Sequence, residues 1–185
     1  MEQFKKHPLY KEDLRNILSV YNIDTLKGKS FLITGATGMV GVMLIDALML
    51  LGDVRIYAVG RNKEKAKERL GEYFSCENFS FIEQDVMLPF PSDLSVDYII
   101  PLASNTHPLA YSNYPIETLL INIEGAKYAL DLASKCGASV LYPSSVEIYG
   151  NSVDAKAFVE DSNGKLNLGN ARACYTESKR TSEAL

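Results

Sequence analysis

The sequence predicts a doubly wound α/β domain, in which a parallel sheet is covered by helices on both faces. Two observations carry this prediction. Short apolar strands alternate with helical segments along most of the chain, and a glycine-rich turn directly follows the first strand. Connections from a strand through a helix to the next strand are right-handed and make the strands parallel. Strands buried on both faces are almost continuously apolar, as these are.

The predicted elements alternate from residue 29 onward. Each apolar run of strand length is followed by a segment with helical spacing or by a loop. In chain order they are strand SFLIT (30–34), a helix from about Met39 to Leu51, strand VRIYAV (54–59), a helix from about Lys63 to Tyr73, strand FSFIEQ (79–84), strand VDYIIPLA (96–103), a helix from about Ile116 to Lys135, strand SVLYPS (139–144) and a helix opening near Tyr175.

The first 28 residues stand apart from this alternation. Leu14, Ile17, Leu18 and Tyr21 recur at helical spacing, which predicts an amphipathic helix that leads into a turn at LKGK. We therefore divide the chain into a helical extension over residues 1–28 and one α/β domain over residues 29–185.

Composition narrows the function class. A net charge of −4 and a pI near 5.3 give no basic surface for nucleic acid or for an anionic membrane. The three cysteines show no C-x-x-C spacing and the two histidines are far apart, so we predict no metal site. No export signal and no run of ~20 apolar residues is present, which favours a cytoplasmic protein that acts on small molecules.

The turn TGATGMVG joins the first strand to the first helix and suggests a dinucleotide site. Gly35, Gly38 and Gly41 would supply a tight turn, bare backbone for a pyrophosphate, and close packing of the helix on the strand. The spacing differs by one residue from the usual fingerprint, but its place between a strand and a helix fits. We predict a Rossmann-type dinucleotide-binding domain.

The choice between NAD and NADP stays open at this point. The second strand ends in VGRN, so Gly60 offers no carboxylate to a ribose 2′-hydroxyl. Arg61 suits either a 2′-phosphate or the face of an adenine ring. Asp85 and Val86, after the third strand, are placed to flank the adenine.

Tyr175 and Lys179 form the predicted catalytic pair. Residues four apart lie on one helical face. A free phenol has a pKa near 10, too high for a base at neutral pH, but a neighbouring ammonium and a cationic nicotinamide favour the phenolate. Ser144, Ser145 and Glu147 follow the last strand, where the ligand crevice should open, and Ser145 is placed to bond the substrate oxygen.

Together these motifs resemble the extended short-chain dehydrogenases/reductases, the NAD-dependent epimerase/dehydratases of nucleotide sugars. The resemblance runs from about Lys29 to the last residue and rests on TGATGMVG, DV at Asp85, PLAS at Pro101, SSVEIYG and YTESK. It implies that Ser145, Tyr175 and Lys179 are catalytic, with Glu147 beside them. It also implies cofactor contacts from Gly35, Thr37, Gly38, Met39, Val40, Gly41, Arg61, Asp85, Val86, Leu102, Ala103, Ser104, Asn122, Ser144, Tyr175 and Lys179.

The residue beside the serine separates the subfamilies. The 4,6-dehydratases resemble TDEVYG, whose Asp protonates the leaving hydroxyl, whereas this chain has Val146 at that position. UDP-glucuronate decarboxylases look like TSEVYG followed by GPRACYDEGKRVAE, and this chain has SSVEIYG followed by GNARACYTESKRTSEAL. The resemblance therefore implies a UDP-glucuronate decarboxylase-like enzyme that oxidises the sugar at C4 with recycled NAD, with NADP not excluded. A nucleotide-sugar 4-epimerase or 4,6-dehydratase is the alternative.

The resemblance also sets expectations about what lies beyond these motifs. Family members continue into a smaller domain that closes on the nucleotide sugar, so we expect the chain to be the amino-terminal part of a longer protein, a homodimer at full length. An alternative of another class is a non-catalytic NAD(P)-binding module. That alternative predicts dinucleotide binding with no product from any nucleotide sugar.

Overall fold

The chain forms a sheet of five strands with helices on both faces. The computed structural model describes residues 2–20, 23–151, 157–162 and 164–185. The strands are β1 (Ser30–Thr34), β2 (Arg55–Gly60), β3 (Phe79–Glu83), β4 (Tyr98–Pro101) and β5 (Ser139–Val140). Their spatial order is β3-β2-β1-β4-β5 and every pairing is parallel, which confirms the predicted fold class.

Seven helices connect and flank these strands in the described residues. They are α1 (Glu2–Lys5), α2 (Pro8–Val20), α3 (Met39–Leu51), α4 (Lys63–Leu70), α5 (Pro108–Asn113), α6 (Pro115–Cys136) and α7 (Ala173–Ala184). Short 3₁₀ turns lie at Ile23–Leu26, Gly71–Tyr73 and Val146–Tyr149.

Successive side chains of the strands pack alternately into two hydrophobic cores, one on each face of the sheet. Phe31 and Ile33 of β1 pack with Ile45 of α3 on one face. Leu32, between them in sequence, packs with Ala129 of α6 on the other face. Burying an aliphatic side chain of this size contributes about 1.5–3 kcal/mol to the stability of the fold. Because successive side chains of β1 point to opposite faces of the sheet, this contribution is gained against a helix on each face.

The strand order creates a crevice where the topology reverses. β1 lies between β2 and β4: the chain runs from β1 through α3 to β2 on one side, and after β3 it crosses to β4 on the other side of β1. In such sheets ligands bind outside the carboxyl ends of the strands at this reversal. The loops after β1, β2, β3 and β4 all open there.

Several boundaries differ from the sequence prediction. The helix over residues 39–51 is as predicted, but β5 ends at Val140 instead of residue 144, and β4 covers 98–101 within the predicted 96–103. Helix α5 was not predicted at all. It begins with Pro at its first position, capped by the His107 side chain, which accepts from the Leu109 N–H at 3.2 Å.

The extension before β1 packs on the outer side of α3. Tyr10 and Leu14 of α2 bury against Ala47, and Ile17 remains 40% exposed outside this contact. The predicted position Tyr21 lies outside the described residues. A buried carboxylate fixes the contact, because Asp46 of α3 accepts hydrogen bonds from Lys5 at 2.8 Å, Tyr10 at 2.5 Å and Tyr73 at 2.9 Å.

Candidate active site

The glycine turn after β1 leaves room for backbone only. Gly35 has φ +61°, and a Cβ on it would lie 2.8 Å from the Ala103 nitrogen. A Cβ on Gly41 would lie 2.6 Å from the Gly35 carbonyl oxygen. Because both contacts are with backbone, no side chain is accommodated at either position. The result is the close strand-to-helix packing and bare backbone that a pyrophosphate requires.

A cavity of about 400 Å³ opens beside this turn, at the carboxyl ends of the strands. It brings together the following predicted cofactor residues: Gly35, Thr37, Gly38, Met39, Val40, Gly41, Arg61, Asp85, Val86, Leu102, Ala103 and Ser104. Met39 and Val40, in the first turn of α3, are 71% and 62% exposed there. The shape and backbone lining fit a nicotinamide dinucleotide.

Other residues of the cavity wall were missed by the sequence reasoning. They are Lys65, Gln84, Asn105, Thr106 and Ile121, with Gly60 noted only for its lack of a carboxylate. Gln84, Asn105 and Thr106 follow β3 and β4, so the rule that ligands meet the carboxyl ends of strands was the available signal. Lys65 and Ile121 lie on helices, where no local signal marks them.

At the β2 end of the cavity, one guanidinium lies near two carboxylates but beyond hydrogen-bonding distance of either. The Arg61 guanidinium lies 3.7 Å from Asp85 and 3.7 Å from Glu117. Asp85 also accepts a hydrogen bond from the Met87 N–H at 2.9 Å, a turn contact. Arg69 of α4 donates to the Thr37 carbonyl at 2.5 Å and so ties α4 to the glycine turn.

Tyr175 and Lys179 are both buried on one face of α7. Lys179 is 4% exposed, and its Nζ lies 5.9 Å from the centroid of the Tyr175 ring and 4.7 Å from that of Tyr142. The ammonium donates to the Pro143 carbonyl at 2.8 Å. Burial lowers the pKa of Lys179 to about 8, and Glu183 offsets part of this effect. At neutral pH the side chain therefore still carries its charge beside the phenol ring.

Lys179 borders a second, very small cavity that adjoins the first. Val86, Ala103 and Ile121 belong to the walls of both cavities. Asn122 also lines the small cavity, but its amide donates to Ser178 at 2.9 Å and to the Thr118 carbonyl at 3.1 Å. These two bonds join α6 to α7, so the amide nitrogen is engaged in helix packing. A cofactor contact from Asn122 stays a prediction.

Tyr111 is a partner of Tyr175 that the sequence did not indicate. Tyr111 lies in α5 and is buried. Its ring stacks on Tyr175 with 4.7 Å between centroids and 17° between planes. Burial raises the pKa of Tyr111 to about 12, and Tyr175 and Glu147 act in the same direction. Tyr111 therefore stays protonated near neutrality.

Glu147 is held by the start of α7. Arg172 donates to its two carboxylate oxygens at 2.6 and 3.4 Å, and Thr176 donates at 3.3 Å. The three residues line a cavity of about 270 Å³ next to the Val146–Tyr149 turn. This places a fixed carboxylate and a guanidinium close to Tyr175.

Ser145 and Ser144 differ in surroundings. Ser145 caps the Val146–Tyr149 turn, because its Oγ accepts from the Glu147 N–H at 3.2 Å, and it is half-buried. Ser144 is exposed and does not border the large cavity. Ser145 and Tyr175 do not border it either. The structure thus brings twelve of the predicted cofactor residues to one cavity, whereas Asn122, Ser144, Tyr175 and Lys179, also predicted to contact the cofactor, lie outside its wall.

Two structural features bear on other functions. Within the described residues, no helix combines the length and apolar character needed to cross a membrane. In the same part of the chain, no three His, Cys, Asp or Glu side chains group as metal ligands would.

Comparison with known proteins places these features in context. UDP-glucuronic acid decarboxylase 2 of Arabidopsis thaliana is 37% identical over 159 residues, 86% of this chain and 35% of that protein. UDP-glucuronic acid decarboxylase 1 of Danio rerio is 37% identical over 157 residues, 85% of this chain and 37% of that protein. The chain thus spans little more than a third of these relatives.

Solved structures share the fold. PbgP3 from Burkholderia pseudomallei superposes with a TM-score of 0.71 at 23% identity, over 85% of this chain and 48% of that one. A variant of UDP-glucuronic acid 4-epimerase from Bacillus cereus, solved with NAD, gives 0.70 at 18% identity, over 84% of this chain and 50% of that one. A profile of the NAD dependent epimerase/dehydratase family matches residues 31–185. The chain belongs to the NAD dependent epimerase/dehydratase family.

Proposed function

We propose that the protein acts on a nucleotide sugar as a UDP-glucuronate decarboxylase-like enzyme, and that the first step is oxidation at C4 of the sugar. The observation that carries this proposal is the buried pair on α7, with the Lys179 ammonium 5.9 Å from the Tyr175 ring and next to the dinucleotide cavity. The family points to NAD(H) as the cofactor. A bound nicotinamide would supply the acceptor for the C4 hydride and the donor that returns it.

Tyr175 is the proposed proton acceptor for the C4 hydroxyl. The Lys179 ammonium lies 5.9 Å from the centre of the Tyr175 ring, and its hydrogen bond to the Pro143 carbonyl holds its charge in place. Loss of the hydroxyl proton to Tyr175 and of hydride from C4 together leave a C4 ketone. Tyr111 does not compete for the proton, because burial raises its pKa to about 12.

Ser145 is the proposed hydrogen-bond donor to the C4 oxygen. Its Oγ already accepts from the Glu147 N–H at 3.2 Å, which fixes the side chain at the start of the turn. A hydroxyl accepts and donates at once, so its hydrogen remains available for the substrate oxygen. Such a donor stabilises the partial charge on the oxygen as the ketone forms.

Decarboxylation fits the residues beside Ser145 better than dehydration does. Val146 is 69% exposed and offers no proton to a leaving hydroxyl. A glucuronate oxidised at C4 is a β-keto acid, which loses CO₂ readily without a leaving-group acid. Glu147, fixed by Arg172, is the proposed group that orients the sugar or exchanges a proton at C5. The two decarboxylase relatives support the same choice.

The test uses the protein at its full natural length with UDP-glucuronate and either nicotinamide dinucleotide. The proposal expects CO₂ and a UDP-pentose, detected by mass spectrometry, and loss of both in Tyr175→Phe. A UDP-hexuronate epimer as product would favour the 4-epimerase alternative. A dinucleotide complex that converts no nucleotide sugar would overturn the proposal in favour of a non-catalytic module.

Three further expectations belong to this proposal. The division at residue 28 separates the packed extension from the dinucleotide-binding domain. The compartment is the cytoplasm, and the assembly at full length is a homodimer. Sedimentation of the full-length protein checks the last of these, with a monomer as the contrary result.

A further inference from the structure

The Lys179 ammonium lies between two tyrosine rings and one carbonyl group. Its Nζ is 4.7 Å from the centroid of the Tyr142 ring, 5.9 Å from that of the Tyr175 ring and 2.8 Å from the Pro143 carbonyl oxygen. A cation is attracted to the face of an aromatic ring within about 6 Å of its centroid. Tyr142 lies well inside this range and Tyr175 lies at its edge, so Tyr142 is the closer π partner of the charge.

This ammonium has fewer hydrogen bonds than it has donors. It carries three N–H groups, and in the part of the chain that the structure describes only the Pro143 carbonyl accepts from it. The side chain is buried, and burial lowers the pKa of Lys179 to about 8. Glu183, exposed four positions further along α7, offsets part of this effect. The face of Tyr142 is a further contact that favours the charged form.

Tyr142 makes this contact with its ring and not with its hydroxyl group. The hydroxyl oxygen is buried and makes no hydrogen bond of normal geometry with the described residues, although the Ser182 side chain lies nearby. Burial raises the pKa of this hydroxyl above its usual value, so the ring is neutral near pH 7. The attraction for Lys179 is therefore that of a neutral aromatic face.

The backbone fixes the position of this ring. Tyr142 follows β5 by one residue, and the intervening Leu141 N–H still donates to the Ile99 carbonyl at 2.9 Å. Pro143 comes next, and a proline restricts both its own backbone and that of the residue before it. Two adjacent residues, Tyr142 and Pro143, thus supply the ring face and the carbonyl oxygen that contact one ammonium.

The ring also limits the space in which water could reach the ammonium. Tyr142 and Lys179 line the same small cavity, which has a volume of about 10 Å³. A cavity of this size is at the lower limit for holding one water molecule. A smaller side chain in place of Tyr142 would enlarge this space, so a ring that only excludes water and a ring that attracts the charge have different consequences when they are removed.

We propose that Tyr142 is a positioning residue, whose ring face holds the Lys179 ammonium beside Tyr175. This inference rests on the proposed function, in which the charge of Lys179 supports proton transfer to Tyr175, but the contact itself is measurable without substrate. If the ring face attracts the charge, its loss lowers the pKa of Lys179 further. If the ring only excludes water, its loss hydrates the ammonium and raises that pKa toward 10.5.

The test is a ¹³C NMR titration of the full-length protein labelled at the lysine Cε atoms, with the Lys179 resonance assigned by its loss in Lys179→Met. In Tyr142→Leu we expect the pKa of Lys179 to fall by about one pH unit, the size of a partly desolvated cation–π contact. In Tyr142→Phe, which keeps the ring face, it should stay within about 0.3 pH units of the parent. Tyr142→Met repeats the test if the leucine variant does not fold.

Tyr128→Leu is the matched control for the loss of a tyrosine ring. The Lys127 Nζ lies 4.5 Å from the Tyr128 ring centroid on α6, and this lysine is exposed. The substitution should leave the titration of Lys179 unchanged. An unchanged or raised pKa of Lys179 in Tyr142→Leu, or an equal fall in Tyr142→Phe, would overturn the inference.

Single-turnover hydride transfer from UDP-glucuronate at pH 7.5 separates this inference from the proposed function. A pKa that falls by one unit from about 8 reduces the charged fraction of Lys179 from roughly three quarters to roughly one quarter. We therefore expect transfer to be at least about threefold slower in Tyr142→Leu and to keep the parent rate in Tyr142→Phe. The parent rate in Tyr142→Leu would overturn the positioning role. No transfer in the parent would overturn the proposed function, while the titration still decides whether Tyr142 holds the ammonium.

Discussion

The cavity beside the glycine turn and the region around Tyr175 are built in different ways. The cavity is lined largely by backbone and short side chains at the ends of strands, as at Gly35 and Gly41, where added atoms would meet backbone within 3 Å. The Tyr175 region is a set of side-chain contacts between distant segments, with Tyr111, Glu147 and Lys179 arriving from α5, a 3₁₀ turn and α7.

The difference determines how each region responds to substitution. A backbone-lined site is destroyed by adding atoms, because main chain on both sides cannot move aside. A side-chain network is altered by removing atoms or charge, and its neighbours remain in place. The four substitutions below add one atom, remove one charge, remove one ion pair and remove one hydroxyl group.

The largest effect is expected from adding a methyl group to the glycine turn. In Gly41→Ala the new Cβ would lie 2.6 Å from the Gly35 carbonyl oxygen and 3.0 Å from Ala36. We expect the free energy of unfolding to fall by about 3 kcal/mol, the upper range for overpacking against backbone. Dinucleotide affinity should fall more than about tenfold, because the turn must shift. Urea denaturation and calorimetry measure the two effects.

Gly71→Ala is the matched control, since a Cβ there meets nothing within 4 Å and its φ of −55° suits alanine. It should leave stability and affinity within error of the parent. Equal behaviour of the two variants would contradict the close packing of the turn.

Removing the Lys179 charge should change how stability depends on pH. Burial lowers the pKa of Lys179 from 10.5 to about 8, so the folded state releases this proton at a lower pH than the unfolded state. Below pH 8 the buried ammonium destabilises the folded state to the full extent, and this destabilisation decreases as the pH rises toward 10.5. Relative to Lys179→Met, the parent should gain about 2 kcal/mol between pH 8 and pH 9.5. Denaturant titrations at several pH values measure this.

Lys127→Met controls for lysine replacement in general. Lys127 is exposed and hydrogen-bonds Asp131, which raises its pKa, so it stays protonated in both states over this range. Its stability difference from the parent should not vary with pH there. If the stability difference between the parent and Lys179→Met also did not vary with pH, the Lys179 ammonium of the parent would be solvated in the folded state.

A smaller effect is expected from the ion pair that holds Glu147. Arg172→Ala removes the contacts at 2.6 and 3.4 Å and, among the described residues, leaves only Thr176 on the carboxylate. We expect turnover of UDP-glucuronate by the full-length protein to fall roughly tenfold, or about 1.4 kcal/mol in activation free energy, through misplacement of Glu147. Arg15→Ala, exposed on α2, should leave turnover unchanged. Parent-like turnover in Arg172→Ala would show that Glu147 needs no support.

The sequence indicated the residues that line the cavity beside the glycine turn better than it indicated the surroundings of Tyr175, for a physical reason. Gly35, Gly38 and Gly41 act through local backbone geometry, and such requirements leave a local pattern. Tyr111 and Tyr175 stack although 64 positions separate them in the sequence, and no local pattern in either segment indicates the contact. The same holds for Arg172 with Glu147.

The predicted boundaries of an element were wrong where few hydrogen bonds define that element. Residues 141–144 read as a strand because they continue an apolar run, but the ladder with β4 stops at Val140. Leu141 is 67% exposed beyond it. In the extension, the i,i+4 pair Tyr10 and Leu14 sets the buried face, and the apolar Ile17 falls outside it. Apolar spacing predicts a helix but does not say which residue meets a partner.

The proposed role of Tyr175 is tested most directly by single-turnover hydride transfer, followed as the appearance of reduced nicotinamide absorbance when the full-length protein and its dinucleotide are mixed with UDP-glucuronate. Tyr175→Phe and Tyr111→Phe form a matched pair, because each keeps its ring in the stack and loses only a hydroxyl. We predict that Tyr175→Phe slows the transfer at least ~100-fold and that Tyr111→Phe stays within about threefold of the parent. Transfer at the parent rate in Tyr175→Phe, or equal slowing in both variants, would contradict the assignment of Tyr175 as the proton acceptor.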